Sequence, residues 1–176
     1  MARHWLLIMI LIVSACATNV PLAIRTAPPG APLVSEVQSS SDQFVGTTVR
    51  WGGLIINVEN QESFTWIELV SRRLSNKGKP IDDDSSVGRF IAKFDQFADP
   101  KIFAIGRLLT VVGNIEGHTT KPIGEFLYTF PIVTVTASHL WRPDPEPRRY
   151  EPPSYWIYDP WYPFLYPHRH PPYWYY

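Results

Sequence analysis

Three features of the chain predict an all-β domain, a small OB-like β-barrel. Five apolar runs of strand length follow one another between Phe44 and Trp141, separated by glycine, proline and Asn/Asp/Ser clusters. The first run is long and contains Gly52-Gly53, where apolar alternation passes from Val45, Val49 and Trp51 to Leu54, Ile56 and Val58. One stretch alone, "DPKIFAIG" (99–106), offers a helical turn, and it falls between the third and fourth strands. A kinked first strand, a meander, a short helix and a closing pair is the order of an OB-like barrel. A β-sandwich is the alternative, because alternation does not give strand order.

In chain order, residues 1–15 read as a signal peptide. Trp5 to Val13 is uncharged, follows Arg3 and His4, and precedes the small residues Ser14 and Ala15. Such a run is well short of the roughly 20 residues that cross a hydrocarbon core, and it fits the about 7–15 of an export leader. Val13-Ser14-Ala15-Cys16 resembles the bacterial lipobox, whose cysteine is acylated and becomes the mature N-terminus. Cys16 is the sole cysteine and has no nearby partner for catalysis or metal binding, so a covalent lipid is its expected fate. Buried acyl methylenes contribute about 0.8 kcal/mol each, and the several chains of a lipoprotein hold where one would be marginal. In Gram-negative lipoproteins an Asp after the cysteine marks inner-membrane retention. Ala17 stands there instead, which points to the outer membrane and its periplasmic face.

Residues 16–43, with Pro21, Pro28, Pro29, Gly30, Pro32 and Ser39 to Ser41, are expected to form a lipidated tether in which Val34 to Val37 could add a short strand. Residues 44–141 are expected to be the barrel. The parity change in its first strand predicts a bulge or bend at the glycine pair. "FTWIELVSRRL" (64–74) is apolar on both faces, as in a central strand, whereas "GRFIAKFD" sets Phe90, Ala92 and Phe94 against Arg89, Lys93 and Asp95. "GRLLTVVGNIEG" places Gly113 among apolar residues, a second bend, and "GEFLYTFPIVTVTA" groups Phe126, Tyr128, Phe130 and Ile132, with Pro131 at an edge or bulge.

A family resemblance rests on "GTTVRWGGLIINVEN", "GKPIDDDSSVGRFIAKF", "FADPKIFAIGRLLTVVGNIEG", "KPIGEFLYTFPIVTV" and the closing "LW". Together with the lipobox these segments resemble the Slp family, starvation-inducible outer-membrane lipoproteins of Gram-negative bacteria. The resemblance runs to about Trp141 and implies an outer-membrane lipoprotein, with no enzymatic activity or binding residue to carry over.

Residues 142–176 form a different kind of segment, holding ten of the eighteen prolines and twelve aromatic residues. Proline at this density opposes helix and ladder pairing. The rings, among them Tyr155, Trp156, Trp161, Tyr162 and Trp174, suit interfaces that are apolar at one end and wet at the other. Packing back on the barrel, lying at a lipid or cell-wall surface, and a non-specific end are the competing fates.

Chemistry finds little support. Asp82-Asp83-Asp84 lacks the ligand spacing of a calcium loop and reads as a solvated turn. His168-Arg169-His170 sets a cation between two potential ligands, a poor metal site, and His118 and His139 stand apart. No Gly-x-Ser-x-Gly elbow or glycine-rich phosphate loop occurs. Arg50, Arg72, Arg73, Arg89, Lys93 and Arg107 could line a binding face with Trp51 or Trp66 for stacking, although an alternating basic face is commonly the solvated side of a strand. A formal net charge of zero gives no electrostatic case for nucleic acid. No enzyme, metal or cofactor is expected beyond lipid on Cys16. The expected partners are outer-membrane lipid, the lipoprotein processing and sorting machinery, and cell wall or another envelope protein. The reading is a non-enzymatic envelope structural or interaction component, with a binding module for glycan or a small periplasmic ligand as the alternative.

Overall fold

A computed structural model of the protein describes residues 19–81, 83 and 85–144. The leader, Cys16 and the segment from residue 145 onward lie outside the described residues. Five strands, β1 (Thr48–Asn60), β2 (Thr65–Ser71), β3 (Arg89–Phe94), β4 (Leu108–Ile123) and β5 (Phe126–Leu140), close a barrel in the order β1-β2-β3-β5-β4. All neighbours are antiparallel except β3 and β5, which pair in parallel through Ile91 to Lys93 and Ile132 to Thr134. This is the OB-like order, and closure removes both the sandwich alternative and the exposed sheet edges.

Alternation within each strand sorts the interior. Ile67 and Leu69 of β2, Phe90 and Ala92 of β3, Leu109, Val111 and Ile115 of β4 and Val133 of β5 form one buried cluster with Val49, Trp51 and Ile55 of β1. Trp51 meets Phe90 edge-on, ring centres 5.3 Å apart. Its indole N–H donates to the Pro32 carbonyl at 2.9 Å, so its polar atom is satisfied in the core.

The kink in β1 differs from expectation in position and cause. The inward set stays odd-numbered through Ile55, and the register against β2 shifts between Ile55 and Asn57, beyond the glycine pair. The glycines answer to a different constraint. Gly53 pairs with Ser71 on one side and Leu109 on the other, and a Cβ there would collide with the Val70 carbonyl oxygen. The bend expected near Gly113 is present as a register shift between Val112 and Gly113 against β5.

The described part of the segment expected to be a tether is folded. Helix α1 (Leu22–Arg25) buries Ile24 completely, and helix α2 (Val34–Ser39), not a strand, buries Val34 and Val37; a 3-10 turn (Ser41–Phe44) leads into β1. Val34 and Val37 belong to the barrel's own interior cluster. In a closed barrel, side chains from outside the strands reach the interior only through a mouth, so α2 stops one end. Arg50 ties α1 down by donating to the carbonyls of Ile24 (2.9 Å) and Arg25 (3.0 Å). Gly78, with φ of +82°, lies so close against the Ile24 carbonyl that a Cβ would clash with it.

The helix expected over 99–106 is a single turn. Asp99 starts it, its carbonyl accepting from the N–H groups of Ile102 and Phe103 and its carboxylate from Lys101 N–H, and Gly106 at φ +87° redirects the chain into β4. Phe103 packs at the other mouth, 5.6 Å from Phe94, beside the buried Ala98.

Strands β4 and β5 outrun the barrel and form a two-stranded arm from His118 to Pro131, turning at Gly124-Glu125. The arm folds back over the outer face. Lys121 Nζ bonds Glu59 of β1 at 2.8 Å and lies 4.4 Å over the Trp66 ring of β2, while Tyr128 Oη accepts from the Arg89 N–H of β3 at 2.9 Å. The return explains why Ile91, on the outward side of β3, and Phe130 of the arm are both buried outside the interior cluster.

Two substitutions test this architecture. Gly53→Val is expected to cost about 1–3 kcal/mol in urea titration, because an inserted side chain must displace the β2 backbone. Ile24→Ala is expected to cost about 2–5 kcal/mol, the range for a truncated buried aliphatic chain. An unchanged urea midpoint for the second would return residues 22–25 to the status of a tether.

Candidate functional site

The six cations and two tryptophans that could line a binding face are used internally. Arg50 holds α1. Arg89 pairs with Glu68 at 3.2 Å, and Lys93 with Glu116 at 2.7 Å. That hydrogen bond from Lys93, with a second from Thr134, keeps the Glu116 carboxyl below its usual range against partial desolvation. Arg107 donates to the carbonyls of Ile102 and Trp141, both at 2.8 Å. Trp51 is in the core and Trp66 lies under Lys121. These cations therefore brace α1 and the β3–β4 loop against the barrel and join β3 to β2 and β4, so each is engaged among the described residues.

The acidic run behaves in the same way. Asp83, its one described member, accepts from Ser85 Oγ at 2.7 Å and from Arg73 Nη2 at 2.8 Å, with Arg72 Nη1 at 3.8 Å. The Ser85 hydroxyl first, and then Arg73, hold its carboxyl down to about 2. These bonds pin the β2–β3 connection. Among the described residues no group of three or more His, Cys, Asp or Glu is placed to hold a metal ion.

Folding also brings together a pair that sequence distance hid. Ser41 Oγ lies 2.6 Å from His118 Nδ1, and the Asp42 carboxylate lies 4.0 Å from the same nitrogen. A Ser-His-Asp relay needs the hydroxyl and the carboxylate on opposite ring nitrogens. With both on Nδ1, the contact fastens the 3-10 turn to the arm. His139 stacks edge-on against Trp141 at 4.5 Å, and burial pushes its pKa down.

Unsatisfied surface is instead apolar and sits on loops. Phe97, Ile102 and Ile105 of the β3–β4 connection are 74%, 55% and 71% exposed. Phe126 and Leu127, at the arm's turn, are also exposed, although alternation groups Phe126 with core residues. The signal for the first set was in the sequence: "FADPKIFAIG" is too short and too interrupted by Pro and Gly to bury all its large side chains. Cys16, Tyr155, Trp156, Trp161, Tyr162, Trp174, His168 and His170 lie outside the described residues.

Fold and surface together define a closed β-barrel with a packed interior, whose outward cations Arg50, Arg72, Arg73, Arg89, Lys93 and Arg107 each bond within the chain. Sequence comparison gives the family. The profile of the outer membrane lipoprotein Slp family matches residues 13–176, so the chain belongs to that family, and the match includes the Pro/aromatic segment past Trp141 that the resemblance had left out. The chain is 35% identical over 132 residues to the lipoprotein YeaY of Escherichia coli (strain K12), covering 74% of this chain and 67% of the relative. It is 29% identical over 105 residues to outer membrane protein Slp of the same strain, covering 60% of this chain and 55% of the relative. A Haemophilus influenzae protein is 35% identical over 95 residues, 53% of this chain and 51% of its own length, so the chain spans about half of each of these last two relatives.

The Asp83 pinning predicts a pH dependence with a definite sign. Its folded pKa of about 2 lies below the ordinary 3.8, so its contribution is full above about pH 4 and is lost as pH falls toward 2. Arg73→Ala and Ser85→Ala are each expected to raise the midpoint of the Asp83 carboxyl titration followed by NMR. An ordinary midpoint in the unaltered protein would show that the connection is not held this way.

Proposed function

We propose that this outer membrane lipoprotein is a non-enzymatic interaction component of the envelope, held by acyl chains on Cys16 at the periplasmic face. The observation that carries the reading is the filled barrel. Val34 and Val37 stop one mouth, Phe103 and Ala98 pack at the other, and the cations of the outer face are spent on internal bonds. A ligand site needs a concave pocket with converging polar groups. What this domain offers is a rigid body with apolar loops, which suits contact with a surface or another envelope component. In the same reading Tyr155, Trp156, Trp161, Tyr162 and Trp174 add interfacial contacts, because Tyr and Trp rings suit surfaces that are apolar at one end and wet at the other. Glycan binding is less well supported, since of the planar rings considered for it Trp51 is buried in the core and the half-buried Trp66 lies under Lys121.

Anchoring is tested in cells with an alkyne fatty acid. Label is expected in the unaltered protein and lost, with unprocessed precursor accumulating, in Cys16→Ser; equal label in both would remove the anchor. On a density gradient the protein is expected in the heavier outer-membrane fraction, with Ala17→Asp shifting it inward. The tail is tested by deleting residues 145–176. The urea midpoint should hardly move, while binding to lipid vesicles or isolated cell wall falls.

A further inference from the structure

We infer that the β3–β4 loop is a lipid-contacting element, and that the barrel lies down on the membrane that carries its anchor instead of standing off it. The inference rests on acylation at Cys16. Its first ground is the length of the leash. A tether over residues 16–43 would reach about 95 Å, but Leu22 begins a helix fixed to the barrel by Ile24 and Arg50, which leaves six residue steps, about 20 Å fully extended. A folded domain on so short a leash must keep the side that carries α1 close to the lipid surface.

That side leads to the loop. The backbone of Ile24 abuts Gly78, whose carbonyl accepts from Thr110 Oγ1 at 2.7 Å. Thr110 Oγ1 accepts from Trp141 Nε1 at 3.0 Å, the Trp141 carbonyl accepts from Arg107, and Arg107 also holds the Ile102 carbonyl, both at 2.8 Å. An unbroken run of contacts thus ties the end of the leash to the loop, so the two move as one rigid piece. At its far end Phe97, Ile102 and Ile105 stand largely exposed, and at the near end Leu22 is 68% exposed. Large apolar side chains grouped on a loop mark an interaction surface, and burial in the acyl boundary is the gain that such side chains find at a membrane.

The loop's charges select the kind of lipid contact. Over residues 95–107, Asp95 and Asp99 balance Lys101 and Arg107. Attraction to anionic headgroups is therefore not the driving term, and docking should persist on zwitterionic lipid and in high salt.

Because Cys16 is the sole cysteine, Ile105→Cys and Val45→Cys accept an environment-sensitive dye selectively in the full-length acylated protein. Ile105 marks the loop, and Val45 is an exposed control beside the start of β1, at the opposite mouth. In phosphatidylethanolamine/phosphatidylcholine vesicles the dye at 105 is expected to shift to the blue and to be quenched by spin-labelled lipid, whereas the dye at 45 stays in water. A Phe97→Ser/Ile105→Ser variant carrying the dye at Ile102→Cys should lose that shift while keeping its urea midpoint. Water-like emission at 105 in protein that floats with the vesicles would overturn the proposal and leave acylation standing. Failure to float would overturn the anchor. A blue-shifted dye at 105 without vesicles, abolished by deleting residues 145–176, would make the chain's own tail the occupant and likewise overturn it.

Discussion

Closure of this barrel depends on β1 serving two neighbours at one point. Gly53 pairs with Ser71 of β2 and Leu109 of β4, and Leu54 with Val70 and Leu108. At this point the β1 backbone presses against the Val70 carbonyl, where no Cβ fits, and Gly52 lies close to Leu109 and Thr110, so glycine at both positions lets β2 and β4 approach. The bulge after Ile55 then lets the second half of β1 follow β2 while Val58 turns toward the core. Without this crossing β4 and β2 would be edges of an open sheet, each with unpaired backbone groups.

A closed barrel of five strands has a narrow interior and two mouths, and the remaining structure follows from filling them. Val34 and Val37 enter at one end, Phe103 and Ala98 at the other. The surplus length of β4 and β5 cannot join the interior, so it folds outward and buries Phe130 and Ile91 in a second layer. Each added layer then needs fastening against water, and the outward cations do this. Lys121 to Glu59 and Arg50 to the α1 carbonyls join an element outside the barrel wall to the wall itself, and Lys93 to Glu116 ties β3 to β4 within it. Such partly exposed pairs contribute little stability individually; their effect here is to set where the arm and α1 lie.

Legibility in the sequence tracks the range of the interactions. Strand count and class were readable from alternation, because period two is a local property that burial of one face enforces. The position of the β1 bulge was not, since Leu54 and Ile56 are apolar on the outward side and mimic a parity change at the glycines. The folded state of residues 22–39 was hidden by its proline and serine content: three buried side chains, Ile24, Val34 and Val37, are too few to show a helical period. The basic residues looked like a face because their partners are distant in the chain. Arg89 and Glu68 are 21 residues apart, Lys93 and Glu116 are 23, and Arg107 and Trp141 are 34. Phe126, Tyr128 and Phe130 alternate like core residues, yet the alternation serves the arm's own packing and leaves Phe126 in solvent.

An OB-like barrel usually keeps an open outer face for its ligand, flanked by loops. Here the arm lies over part of that face and internal ion pairs use several of its charges. Selection for a ligand would favour groups left unpaired and convergent; selection for a braced body favours the pairing observed. Among the described residues the most exposed large apolar side chains, besides Leu22 of α1, are on the β3–β4 loop and at the turn of the arm. Each such side chain leaves roughly 1.5–3 kcal/mol of burial unrealised in the isolated domain. That unrealised burial, set on a braced frame, is where the described domain has most to gain from contact with a surface outside itself.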